Sequence, residues 1–225
     1  MKPSLPTIHP AGWPFIGICV VATFLLFNFS HVVGMLALAV TAWCIYFFRH
    51  PKRFTPPGKG LVISPADGVL IQITEAVPPK ELKWTTEPLT RLSIFLNVFD
   101  VHVNRIPVDG EIKKIVYHPG KFFNASLDKA SKNNERNSLI IQTPSGHEIL
   151  VVQIAGLIAR RIVCEVKEEQ SVQAGETFGI IRFGSRADIY LPEGVSPNVI
   201  EGQRMIGGET VLAYLPPKVR PKEKE

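Results

Sequence analysis

The sequence predicts a mainly β soluble domain behind an N-terminal α-helical membrane hairpin. Three observations carry this. Residues Ala11–Phe48 contain no Asp, Glu, Lys or Arg. From Leu61 onward, short runs rich in Val, Ile and Phe alternate with turn residues. Between the two, "HPKRFTPPGKG" (His50–Gly60) is rich in Pro, Gly and basic residues and reads as a linker. The expected organisation is therefore an anchor over 1–49, a linker over 50–60, a β domain over 61–215 and a disordered tail over 216–225, "PPKVRPKEKE".

The apolar segment is too long for the core of a signal peptide, and no small-residue cleavage site follows it. A spanning helix needs about 20 apolar residues, and this segment is nearly twice that. It reads as two arms, Trp13–Phe27 and Val32–Phe48, turning at "NFSH". Each arm is slightly short, so a shallow, partly inserted hairpin is an alternative to a full span. Lys2 precedes the hairpin and Arg49, Lys52 and Arg53 follow it, which places both ends on the cytoplasmic side of the inner (cell) membrane. A single tilted helix would instead put the large domain on the other side.

Candidate strands are Leu61–Ser64, Val69–Thr74, Arg91–Val98, Glu111–Tyr117, Ser138–Thr143, Glu148–Ala155, Arg161–Val166, Phe178–Phe183, Ala187–Leu191 and Thr210–Tyr214. Short strands at this spacing mark a sandwich or barrel. The polar stretch Asn124–Asn137 breaks the rhythm as a loop or short helix. In "VKEEQSVQAGETFGIIRFGS", two strands flank "VQAGE", where Gly175 is free to take positive φ. That turn resembles those of lipoyl- and biotinyl-type barrel-sandwich domains.

The net charge of +5 suits a domain lying against anionic lipid. No stripe of Lys and Arg with interleaved aromatics suggests nucleic acid as a partner. Of the three cysteines, Cys19 and Cys44 lie in the apolar segment, and neither CxxC nor a Cys/His cluster with metal spacing occurs. No metal and no disulfide framework is expected.

Three segments stand out: "SPADGVL" (Ser64–Leu70), "NVFDVHVNRIPVDG" (Asn97–Gly110) and "FGSRAD" (Phe183–Asp188). Each has an ordinary structural reading. SPADG is a good turn, with Pro presetting φ and Asp67 capping. A single histidine such as His102 often serves only as a hydrogen-bonded core group, and Gly184-Ser185 reads as a bulge or turn. Asp109-Gly110 looks like a hairpin turn, and Asp100 reads as solvated.

Taken in order, with "YHPGKFFNAS" and "NNERN" between them, these segments make the soluble chain from about Gly60 to Tyr214 resemble the phosphatidylserine decarboxylase proenzymes, in a short bacterial form. The resemblance implies a chain that makes its own electron sink. Ser185 attacks the carbonyl of Gly184, the chain parts there, and Ser185 becomes an N-terminal pyruvoyl group. The β chain would be 1–184 and the α chain 185–225, the two remaining associated as a heterodimer, with further dimerisation open. Glycine on the acyl side leaves the attack unobstructed. The family assigns the orienting carboxylate and the base to Asp67 and His102, and His102 could later protonate the decarboxylated carbon. The pyruvoyl carbonyl would take a phospholipid's serine amine as a Schiff base and release CO2 and phosphatidylethanolamine.

Arg105 stands where longer members tend to carry a second histidine, and Arg186 where they tend to have Thr. Arg136 reads either as a partner of the substrate phosphate or carboxylate or as a loop ion pair with Glu135 or Asp128. His118 reads as facing the cleft or as a plain loop residue. Trp84 in "VPPKELKW" reads as sitting at headgroup level or packing inward. The alternatives kept open are a decarboxylase of another serine-headgroup lipid and a membrane-anchored, lipoyl-like adaptor without catalysis. The adaptor reading gives no reason for Asp67, His102 and Ser185 together, and no heptad run follows Gly60.

Overall fold

The charge-free segment forms two helices, α1 (Trp13–Phe29) and α2 (His31–Phe47), separated by Ser30 alone. The turn is tighter than "NFSH", because Asn28 continues α1 and its Nδ2 donates to the Phe24 carbonyl at 2.8 Å. The computed structural model describes residues 6–120, 134–156, 161–182 and 185–217. Much of Asn124–Asn137, Gly184 and the residues after 217 lie outside the described residues.

The two helices pack side by side through small contacts. Thr23 and Thr41 share a buried hydroxyl hydrogen bond of 2.8 Å, and Gly34 sits so close to Phe27 that a Cβ there would meet the ring at 2.4 Å. Their outer surface is apolar throughout, with Phe24, Phe29, Val32 and Leu36 exposed. A short 3-10 turn extends the first arm, so Pro10–Phe29 is 20 residues long and apolar enough to cross a membrane, whereas His31–Phe47 is shorter.

The remaining chain is almost all strand. In chain order these are β1 (Thr7–Ile8), β2 (Arg49–His50), β3 (Leu61–Ile63), β4 (Gly68–Ala76), β5 (Leu89–Leu96), β6 (Val103–Arg105), β7 (Gly110–His118), β8 (Arg136–Gln142), β9 (Glu148–Ala155), β10 (Ile162–Cys164), β11 (Ser171–Val172), β12 (Thr177–Ile181), β13 (Ser185–Tyr190), β14 (Arg204–Met205) and β15 (Val211–Tyr214). Eight of them make one antiparallel sheet in the order β11-β7-β8-β9-β13-β5-β4-β14. A second sheet, β10-β12-β6, stacks beside it, and β15 pairs with β3. The mainly β, barrel-sandwich-like domain expected behind an apolar helical hairpin is what the structure has, built on one curled large sheet.

Side chains alternate across a strand, so each face of the large sheet has its own residents. One face carries Leu92, Ile94, Leu96, Leu139, Ile141, Ile149, Val151, Ala187 and Ile189, the heart of the main core. The other carries Ile140, Leu150, Val152, Ile154 and Tyr190, covered by Leu82 and Trp84. Trp84 therefore packs inward rather than at headgroup level, and its indole N–H donates to Glu148 at 2.6 Å.

Gly68, which ends SPADG and opens β4, has φ +146, and a Cβ there would stand 2.2 Å from the Phe95 carbonyl oxygen. The strand can approach β5 this closely only without a side chain. Gly175 in the VQAGE turn likewise has φ +88. Asp109-Gly110 is not a hairpin turn: β6 and β7 belong to different sheets, and Asp109 Oδ1 instead accepts the Ala174 amide at 2.8 Å.

The hairpin is joined to the β domain at its base. Phe47 and Phe48, both fully buried, cluster with Ile16, Cys44, Val101, Val103 and Ile180. β1 pairs with β2, and the His9 amide donates to the Phe48 carbonyl at 2.9 Å. His9, buried, also approaches Glu165 at 3.2 Å through Nε2.

Candidate active site

Ser185 is the first residue of β13, the strand lying between β9 and β5 in the large sheet, paired to Ala155 on one side and Leu96 on the other. It is fully buried, and its hydroxyl has no hydrogen-bond partner among the described residues. By sequence Gly184-Ser185 reads as a bulge or turn. The structure instead puts a change of sheet here: β12 ends at Ile181 in the small sheet and β13 begins at Ser185 in the large one. Six residues of β13 are held by ladders on both sides, so this strand's place does not depend on the bond before Ser185.

His102 lies at the matching crossover on the neighbouring chain segment. β5 ends at Leu96, opposite Ser185, and the chain crosses to β6 through Asn97–His102. The Ile181 amide donates to the His102 carbonyl, which extends the β6–β12 pairing as far as His102. His102 is thus tied to the end of β12, after which the chain leads to Ser185.

The facing of the side chains follows from register. Residues two apart on an extended segment project to the same side, so His102 and Asn104 do. Asn104 Oδ1 accepts from Gln153 Nε2 at 2.9 Å, and Gln153 Oε1 accepts from Asn137 Nδ2 at 3.0 Å. Gln153 pairs with Ala187, on the same face of the large sheet as Ser185. The side of β6 that carries His102 is therefore turned toward the face that carries Ser185.

The His102 ring is completely buried. Its Nδ1 lies 3.0 Å from the Asp100 main-chain oxygen, and its face packs on Phe47 with centroids 4.3 Å apart at 34°. A carbonyl only accepts, so Nδ1 carries the proton and Nε2 is the basic nitrogen. Burial pushes the ring's pKa down to about 4, against the pull of Asp100, so His102 is neutral at neutral pH. A neutral ring can take a proton, and the imidazolium it becomes is a strong acid that readily gives the proton back.

Asp67 stands at the start of β4, with Oδ1 accepting the Gly207 amide at 2.8 Å and Oδ2 bound by Arg53 at 2.6 Å. Burial raises its pKa, opposed by Arg53 and that amide. The ring orientation expected of Asp67 is supplied by the Asp100 carbonyl and Phe47. Asp100 is not solvated but buried: Oδ2 accepts the Asn97 amide at 2.8 Å and Oδ1 is bound by Arg204. Arg49 closes the same corner by donating to the Phe99 carbonyl at 2.7 Å. Arg105 is structural, tying the Gly175 and Pro51 carbonyls together at 2.8 and 2.9 Å.

Arg136 and His118 are not brought to this site. They pair with each other across β7 and β8, and Arg136 pairs through Ile154 with Arg186, one residue out of phase with Ser185. The sheet stands between them and the serine. Arg136 binds Glu81 at 2.5 Å, because Lys80–Leu82 lies over that face, and Glu135 accepts the Ile162 amide at 3.2 Å. Asp128 lies outside the described residues. Phe47 and Gln153 were missed from the sequence. A lone glutamine in "EILVVQIAG" was a usable signal for the second; nothing marked the first.

Residues 40–213 match the phosphatidylserine decarboxylase family. The chain belongs to that family. It is 56% identical to a phosphatidylserine decarboxylase proenzyme of Ruegeria pomeroyi, over 94% of this chain and 96% of the relative. It is 56% identical to one of Rickettsia bellii, over 92% and 89%, and 55% identical to one of Cereibacter sphaeroides, over 92% and 90%. Family membership removes the adaptor alternative and supports the zymogen and lipid-synthesis expectations. Among the described residues no group of His, Cys, Asp or Glu could hold a metal ion.

Proposed function

We propose that this chain is a self-cleaving, pyruvoyl-dependent decarboxylase that converts phosphatidylserine to phosphatidylethanolamine and CO2. The reading rests on one observation above the rest. The only residue at the family's Gly-Ser position that could become a pyruvoyl group, Ser185, is a buried hydroxyl with no partner among the described residues, at the head of a central strand. A buried hydroxyl left unpaired costs about 1–3 kcal/mol, a cost tolerated where the group has chemistry to do. The surroundings fit a pyruvoyl group: Ser185 pairs with Ala155, which is buried with Ile162 and Ile181, and a neutral imidazole stands just ahead of β6.

In the first step Ser185 Oγ gives its proton to His102 and attacks the carbonyl carbon before it; the C–N bond then breaks as His102 returns the proton to nitrogen. The ester is then lost by elimination of the Cα proton and the carboxylate, which leaves a new carboxyl end on the β chain and a dehydroalanine at residue 185; water hydrolyses its imine tautomer, releasing ammonia and leaving the pyruvoyl carbonyl. Asp67 sets the start of β4 through Arg53 and Gly207 and keeps negative charge near the site. Once formed, the pyruvoyl carbonyl supplies the electron sink for the pair left behind by CO2. His102 is then the acid positioned to protonate that carbon. The helices over 1–49 anchor the domain in the inner membrane, the linker 50–60 holds it at the cytoplasmic face, and the domain over 61–215 meets a headgroup whose acyl chains stay in the bilayer.

The test is intact mass of the purified full chain under denaturing conditions, followed by decarboxylation of phosphatidylserine in mixed micelles. The expected result is two chains divided between residues 184 and 185, the shorter one blocked and reactive with hydroxylamine, and activity toward phosphatidylserine. S185A should remain one chain and be inactive. A wild-type protein that stays uncut would sink the proposal.

A further inference from the structure

Phe99 is an exposed aromatic ring on the turn that leads to the candidate base. The turn over residues 97–100 is held by its own bonds: the Phe99 amide donates to Asn97 Oδ1 and the Asn97 amide to Asp100 Oδ2, both at 2.8 Å. Asp100, Val101 and His102 are buried, yet Phe99 is 61% exposed. One exposed apolar side chain is ordinary, whereas a continuous apolar surface marks a place of contact.

Phe99 continues such a surface. The Arg49 guanidinium donates to the Phe99 carbonyl at 2.7 Å and to the carbonyl of Tyr46, in the last turn of α2, at 2.8 Å. The turn is thereby fastened to the end of the hairpin. Gly12, which caps α1, lies so close to Phe48 that a Cβ there would meet it at 2.5 Å, so both arms reach their domain-side ends at one level. Trp13 and Tyr46 are exposed at those ends. Trp13, Tyr46 and Phe99 thus stand together where the apolar exterior of the hairpin gives way to the domain. Cations stand there too. The Arg49 guanidinium lies 3.8 Å over the Tyr46 ring, and the exposed Arg204 side chain binds Asp100. Rings with cations beside them suit the headgroup layer of an anionic bilayer, where the rings bury apolar surface and the guanidiniums meet phosphate.

We infer that Phe99 is a second point of membrane contact, its ring entering the headgroup layer beside the base of the hairpin. This rests on the anchoring reading above. A hairpin by itself is free to tilt in the bilayer, and a contact to one side of it fixes which way the domain leans. The effect reaches the site through one residue. Asp100, next to Phe99, is the residue whose carbonyl holds His102 Nδ1. Seating the ring therefore sets the candidate base close to headgroup depth, where a diacyl substrate presents its serine.

The experiment reconstitutes the full chain, wild type and F99W, in vesicles of phosphatidylcholine and phosphatidylglycerol. The wild-type emission, from Trp13, Trp43 and Trp84, is subtracted from that of F99W, which leaves the emission of position 99. That emission should be quenched by phosphatidylcholine brominated on acyl carbons near the headgroup and shielded from acrylamide in the water. Quenching by acrylamide and not by the brominated lipid overturns the inference. If the wild-type emission also ignores the brominated lipid, the anchoring reading fails and this inference falls with it. F99S gives a second readout. It should split as wild type does and lose about tenfold in kcat/KM on phosphatidylserine in vesicles, the worth of half-burying a phenyl ring. Its rate on glycerophosphoserine, which has no acyl chains, should be unchanged. An equal loss on both substrates, or no loss on either, overturns the seating role. If wild type acts on neither, the decarboxylase reading fails and the quenching alone decides the place of Phe99.

Discussion

The ring of Phe47, the last residue of the second hairpin helix, lies 4.3 Å from the ring of His102, centroid to centroid. The apolar hairpin therefore also forms one wall around the candidate base. Phe47 is fully buried and clusters with Val101 and Val103 on either side of His102. This packing keeps water from the imidazole and holds its pKa down.

Replacing Phe47 by Ala should cost about 3–5 kcal/mol and leave space beside the imidazole. With water admitted, the pKa of His102 should rise from about 4 toward 6.5, moving the lower limb of the pH profile of splitting to higher pH. Phe47→Leu, which refills most of that space with apolar atoms, should recover most of the stability and most of the profile. The check is splitting rate against pH in detergent. A profile unmoved in Phe47→Ala would mean that the ring contributes packing only.

Stability itself should depend on pH. His102 has an ordinary pKa of 6.5 when unfolded and about 4 when folded. Between those values the unfolded chain binds a proton that the folded chain refuses. Stability is therefore full above about pH 6.5 and falls as pH drops toward 4, by about 3 kcal/mol at most from this group. His50 is also lowered to about 4, chiefly by burial, and acts in the same direction. Urea unfolding of the uncut S185A chain, with and without H102Q, measures the difference. The slope over this window should be clearly shallower in H102Q.

Behind Ser185, on the opposite face, Arg186 and Asp188 form a fully buried pair, with Arg186 Nε and NH2 reaching the carboxylate at 2.6 and 2.8 Å. Arg91 approaches the same carboxylate at 3.9 Å. Asp188 thus serves two cations with a single carboxylate. D188N should cost about 3–5 kcal/mol, because it strips two buried guanidiniums of their carboxylate. R186M leaves Asp188 with Arg91 and should cost less. Equal losses in urea unfolding of the S185A chain would show that Arg91 does not share the charge.

Much of this protein was legible along the chain because local chemistry dictates it. An uncharged segment of this length has to form helices, since a backbone in an apolar medium must satisfy its own hydrogen bonds. The β-branched runs of the domain became strands close to where they were expected, as with Glu148–Ala155. The Asp, His and Ser segments stood out by type and order.

Arg136 and His118 show where that legibility stops. Nothing in "NNERN" tells on which face of a sheet Arg136 will stand, because a strand's register is set by partners far away in the chain, and a shift of one residue reverses every side chain. The same register turns Asn104 and His102 toward Ser185 and gives Asp100 a buried place beside Arg204. Phe47 belongs to the site only because the base of the hairpin docks on the Val101–Val103 segment. The strands and helices are products of neighbouring residues. The face of the sheet on which each candidate residue stands is a product of which strands pair, and pairing is a long-range choice made by the packing of the whole core.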